Sequence, residues 1–180
     1  LGDVYKRQDE NGIGHFYGHA AKSAEIAEQS LRNLRLESKL IADVVQLVAS
    51  HDRVLEVKKN VVRRCLNKFG EIQFMNLIFL QAADKSAQRI DIGQRGEQVT
   101  RVSQFYRMMQ EIKQDQDCFS LKDLAVNGND LMQLGFPQDK SLGNALNTLL
   151  ELVMDDKMEN DKGKLLTKAR ELLDENSKSY

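Results

Sequence analysis

Residues 119–150, FSLKDLAVNGNDLMQLGFPQDKSLGNALNTLL, decide how this chain is organised. They interrupt a run of longer amphipathic helices with a short helix, a glycine-containing turn and the start of another helix. Gly128, Gly135 and Gly143 let the backbone come close to a partner, and a helix starting near Lys140 would aim unbonded N–H groups outward. Such a start favours anions, so contact with phosphate is expected here first. The spacing of apolar residues predicts helices over about 121–126, 129–134, 140–155 and 162–175, with Pro137, the one proline, in a turn.

Upstream, helical periodicity dominates. Ala24, Ala27, Leu31 and Leu34 repeat at helical spacing, as do Ile41, Val44, Val45 and Val48, predicting helices over about 18–35 and 38–50. A third is predicted over 56–68. A fourth, over 71–88, is apolar nearly all round through Phe74, Leu77, Ile78, Phe79, Leu80, Ala82 and Ala83, so it is expected to be central. Val99, Val102, Tyr106, Met109 and Ile112 define a long fifth helix. The polar run 113–117 after it is the expected boundary before a small C-terminal module. No alternating strand pattern, hairpin signal or repeat stands out, so the fold class is all-α. Residues 1–8, LGDVYKRQ, have no periodicity and resemble a translated sequencing adapter, so they are set aside as a non-native leader. A chain beginning so abruptly before a helix is expected to lack its natural start.

Composition narrows the class. The 180 residues, 41% of them hydrophobic, suffice for one substantial core or two small ones. No segment has the apolar length to cross a bilayer and no signal-peptide layout is seen, so a cytoplasmic location is the default expectation. Cys65 and Cys118 lack any CxxC partner, which argues against a disulfide framework or zinc site and for buried thiols. A net charge of −1 gives no global nucleic-acid signal, but Lys58, Lys59, Arg63, Arg64 and Lys68 gather on one predicted helix, several near one face. A solvated basic face is the competing reading.

Some polar residues suggest chemistry. His15 and His19 are four residues apart, His51 and Asp52 follow the second helix, and Asp84 closes the most apolar one. A carboxylate on a buried helix needs a cation, a metal or hydrogen-bond donors. Pairing with Lys85 or Arg89, or an outlet to solvent, would equally satisfy Asp84.

The order of HFYGH (15–19), SHD (50–52) and AADKSA (82–87) resembles the second half of an HD domain, the helical metal-dependent phosphohydrolase fold. More narrowly, HFYGHAAKSAEIAEQSLRNLRLESKLIADVVQLVASHD, the basic helix and FSLKDLAVNGNDLMQLG together resemble the C-terminal portion of a bacterial CCA tRNA nucleotidyltransferase, of the class II poly(A) polymerase-like family. The resemblance spans about residues 12–175. It implies a truncated HD-like helical bundle over 9–114 and a helical tRNA-binding module over 119–176.

What the resemblance implies for sites is partial. His19, His51 and Asp84 correspond to the later members of an HD metal site, whose earlier His and adjacent His-Asp pair have no counterpart here. Ala20 stands where relatives often carry Glu. A divalent metal is implied only if that site is complete, and in many such enzymes the HD unit is a degenerate scaffold. The nucleotidyl-transfer head, with its mixed sheet, Mg2+ and the substrates ATP and CTP, belongs to the parent enzyme and is not expected here. The chain is therefore expected to be inactive alone, with no cofactor and no catalytic residue of its own, and to hold tRNA through shape and backbone contacts. The RNA-binding candidates are Lys122, Asn127, Asn129, Lys140, Ser141 and Gly143, with Arg63 and Arg64 secondary. Against each stands a structural reading: a turn at Asn127-Gly128, an N-cap at Asn129, close packing at Gly143. Two other readings remain, an HD-type metal-dependent phosphohydrolase fragment and a helical protein-interaction module. No membrane partner is expected.

Overall fold

The computed structural model describes residues 6–8, 14–16, 18–87 and 92–177; for 6–8, 14–16, 92–95 and 176–177 only the backbone is considered. The elements are β1 (Lys6–Gln8), β2 (Gly14–Phe16), α1 (His19–Asn33), α2 (Ser38–Val48), α3 (Lys59–Ala87), α4 (Ile92–Gln114), α5 (Gly128–Gln133), α6 (Lys140–Met154) and α7 (Lys162–Ser177). The all-α expectation holds with one exception. Lys6–Gln8 pairs antiparallel with Gly14–Phe16 in the register Lys6↔Phe16, Arg7↔His15, Gln8↔Gly14, so a short hairpin includes residues that the sequence had set aside.

The chain divides into two compact units. The first comprises Leu1–Leu55 with Glu71–Val102, the second Glu56–Gly70 with Ser103–Tyr180. This division cuts across the boundary expected at 113–117, because 56–70 and 103–114 pack with the C-terminal segment. The third and fourth predicted helices are the two halves of α3. They meet at Gly70, whose φ of 72° and ψ of 168° lie in a region essentially reserved for glycine.

In the first unit, α1 and α2 pack as a helical hairpin. Ala20, Ala24, Ile41, Phe74, Leu77 and Ile78 are buried. The second half of α3 is nevertheless not buried on every side: Ile72, Phe79 and Asp84 are exposed. The premise that Asp84 sits at a buried helix end is thereby corrected.

The second unit buries Val62, Cys65, Leu66, Phe105, Met109 and Ile112. Its C-terminal part has a continuous core in which Leu124, Val126, Leu131, Phe136, Leu149, Leu150 and Leu165 come together with Cys118 and Ala169. Burial pushes the Cys118 thiol up to about 11, so at neutral pH it is protonated and inert. No helix predicted over 121–126 forms. Ser120 Oγ and backbone N–H donate to Asp123 Oδ2 at 2.7 and 3.0 Å. The Asn160 amide accepts from Ala125 N–H and donates to the Asp123 carbonyl, both at 2.8 Å. Side chains that satisfy the backbone locally compete with the helix here.

Four helices end on the same device. A residue with positive φ follows the helix, and the N–H after it returns to a carbonyl five residues earlier: Leu36 to Leu31, Asp117 to Ile112, Phe136 to Leu131 and Lys157 to Leu152. Only one of the four positive-φ positions is a glycine, Gly135; the others are Arg35 (φ 56°), Gln116 (53°) and Asp156 (57°). The non-glycine ends carry a conformational cost. Arg35→Gly is expected to raise stability by about 0.5–1 kcal/mol. Leu149→Ala, in the fully buried C-terminal core, should lower it by about 2–5 kcal/mol. Urea denaturation of the full chain measures both.

Candidate nucleic-acid interface and histidine pocket

The basic helix expected to contact phosphate is the first half of α3, and consecutive arginines on it take opposite roles. Arg63 is 7% exposed. Its Nε and Nη2 donate to Asp117 Oδ2 at 2.9 and 2.8 Å, and its Nη1 to Asp156 Oδ1 at 2.7 Å and the Met154 carbonyl at 3.1 Å. Lys59 joins the cluster through Asp115 Oδ2 at 2.9 Å and Asp117 Oδ2 at 3.0 Å. Arg63 is therefore spent internally, which corrects its placement among the RNA contacts. Arg64, one position on and about 100° round the helix, is exposed and donates to Asp155 Oδ2 at 2.6 Å.

Titration follows from this geometry. Burial alone would raise the Asp117 carboxyl, but hydrogen bonds from Arg63 and Lys59 outweigh it and hold the group below the usual carboxylate range. Burial would likewise lower Arg63, and its bonds to Asp156 and Asp117 reverse that. Asp115-Gln116-Asp117 is an Asp-x-Asp spacing of the kind that holds metals in nucleotidyl transfer, yet both carboxylates here are occupied by Lys59 and Arg63.

The other RNA candidates lie at two helix starts. Asn127 caps α5, its Oδ1 accepting from Asn129 and Asp130 N–H at 2.9 and 3.2 Å while Asp130 Oδ2 accepts from Asn127 N–H at 2.9 Å. That side-chain oxygen and the Asn129 N–H are thus engaged in the capping box. At α6, Asp139 caps the helix by accepting from Ser141 N–H at 2.7 Å, and its bonds with Ser141 hold its carboxyl below the ordinary range. The helix start expected to attract anions already carries one, which weakens that expectation. Lys122 and Lys140 are exposed, and a Cβ built on Gly143 meets nothing within 4 Å, so close packing does not explain that glycine.

The first unit does gather the histidines. His19, His51 and Asp84 line one pocket of about 220 Å³ with Asp52, Arg53, Val54, Gln81 and Lys85. The His19 and His51 rings stand edge to face, centroids 5.2 Å apart. His51 Nδ1 lies 2.6 Å from the Val48 carbonyl; a carbonyl only accepts, so Nδ1 donates. Gln81 Nε2 donates to the Arg53 carbonyl at 2.8 Å and Arg101 to that of Leu55 at 2.7 Å, fixing the loop after His51. Among the described residues, however, no three His, Cys, Asp or Glu side chains converge as a metal site requires. The side chain of His15, on β2, lies outside the described residues.

Residues 8–169 match the family described as tRNA nucleotidyltransferase domain 2. The match covers most of the chain, and the protein belongs to that family. No curated protein and no solved structure matches it. Among the described residues no helix is long and apolar enough to cross a membrane.

Because Asp117 titrates below its ordinary value when folded, its contribution is complete above about pH 4 and is lost as pH falls through the lowered value. Arg63→Ala leaves Asp117 with Lys59 as its one cation and takes the partner from Asp156, and should cost about 3 kcal/mol at pH 7. Acid unfolding followed by circular dichroism should show a correspondingly shallower dependence on Asp117 in the variant.

Proposed function

We propose that this chain is the tRNA-holding and scaffolding part of a tRNA nucleotidyltransferase that completes the CCA end. The family match over residues 8–169 carries the reading. In it, nucleotidyl transfer from ATP and CTP with Mg2+ is the work of a separate head domain, and the protein acts in the cytoplasm. The first unit serves as an HD-derived scaffold, with His19, His51 and Asp84 lining one pocket.

The exposed cations of the second unit supply the grip. Lys122 and Lys140 flank the capping turns of the C-terminal module and present ammonium groups to solvent, and a tightly packed core beneath holds that module in shape. A-form RNA offers phosphates and 2′-hydroxyls in a regular array, so a rigid surface with a few cations recognises shape rather than sequence. The test is anisotropy of labelled tRNA with the full chain across a salt series. Binding should weaken with salt, and Lys122→Ala/Lys140→Ala should reduce affinity about tenfold and flatten the salt slope by between one and two contacts. A folded protein that does not bind tRNA would overturn the proposal.

A further inference from the structure

Arg64 and Lys157 share one carboxylate. Arg64 Nη2 and Lys157 Nζ lie 2.6 and 3.2 Å from Asp155 Oδ2, with Arg64 52% and Lys157 65% exposed at the side chain. Asp155 is the buried partner, its side chain 11% exposed. Among the described residues its second oxygen, Oδ1, is buried without a hydrogen bond. A lone surface ion pair would place both partners in water. Here the acid is sunk and the two cations stand over it.

Asp155 therefore orients charge without neutralising it. Lys68, one helical turn beyond Arg64 and exposed, extends the same face. The opposing acids are Asp155 and Glu151, which is exposed one turn earlier on α6; Asp156 is engaged by Arg63. With Asp156 counted, since its partner Arg63 is shared with Asp117, three cations face three carboxylates, so the subsite rests on the positioning of Arg64 and Lys157 rather than on excess charge. The Arg64 guanidinium is held through Nη2, and its side chain is half exposed. A fork fixed in this way loses less freedom on meeting a phosphate than a free side chain.

We propose that Arg64 and Lys157, positioned by Asp155, form a phosphodiester subsite on the RNA-holding surface. Lys157 and Asp155 are additions that the basic-helix pattern did not contain. The inference rests on the tRNA-holding reading and names a particular part of that surface.

The experiment is tRNA anisotropy across salt with the full chain, comparing Lys157→Ala, Arg64→Lys and Asp155→Asn, each checked for folding by circular dichroism. Lys157→Ala should weaken binding roughly three- to tenfold and reduce the salt slope by about one contact. Arg64→Lys, which keeps the charge but loses the fork, should weaken binding with little change in slope. Asp155→Asn gives the decisive sign. Removing an anion should tighten binding of a polyanion if Asp155 merely opposes phosphate, and should weaken it if Asp155 positions Arg64. Tighter binding by Asp155→Asn overturns the positioning role. Unchanged binding by Lys157→Ala and Arg64→Lys, with wild type still binding, overturns the subsite and leaves the tRNA reading intact. No binding by the folded wild type removes both.

Discussion

A guanidinium out of water must find acceptors for its donors, and Arg63 finds them at two helix ends. Asp117 follows the last turn of α4, while Met154 and Asp156 close α6. The first half of α3 is thus fixed against both ends at once. Buried ion pairs contribute little net stability compared with apolar packing, but breaking one is costly, so they select one arrangement over others. Their placement here goes with the two backbone reversals at Gln116 and Asp156, which follow α4 and α6 beside the carboxylates that Arg63 binds. Arg64 takes its role from its neighbour: once Arg63 points inward, helical geometry turns Arg64 outward.

Much of the helical framework was legible because it depends on periodicity. Apolar spacing located α1, α2, α6 and α7 to within a few residues, and Gly70 fell where the third and fourth predicted helices meet. The misses have local causes. Helix formation over 121–126 lost to Asp123 and Asn160, which satisfy the backbone through side chains far apart in sequence. Arg35, Gln116 and Asp156 adopt positive φ without being glycine, so no residue type signalled those ends. The burial of Arg63 was illegible because its partners lie 54 and 93 residues away. A count of basic residues on a helix cannot tell a phosphate contact from an internal ion pair. The signal that existed was the acidic pairs 115/117 and 155/156 at helix ends.

The histidine pocket shows a resemblance that survives in position. The family likeness placed His19, His51 and Asp84 together, and they do line one cavity. The edge-to-face histidines and the glutamine-braced loop give the first unit a polar pocket.

Asn127 and Gly128 have a consequence for how the protein ages. Asn-Gly is the dipeptide most prone to cyclise to a succinimide, by attack of the glycine nitrogen on the asparagine side-chain carbonyl. In the fold, Asn127 is extended at φ −132° and ψ 179°, and its side-chain oxygen accepts two N–H groups at the start of α5. The two cap bonds hold the side-chain amide in place, so cyclisation requires the cap to open. Deamidation at this position thus becomes a clock that runs chiefly while the C-terminal module is open, and isoaspartate accumulating there records the time the module has spent unfolded.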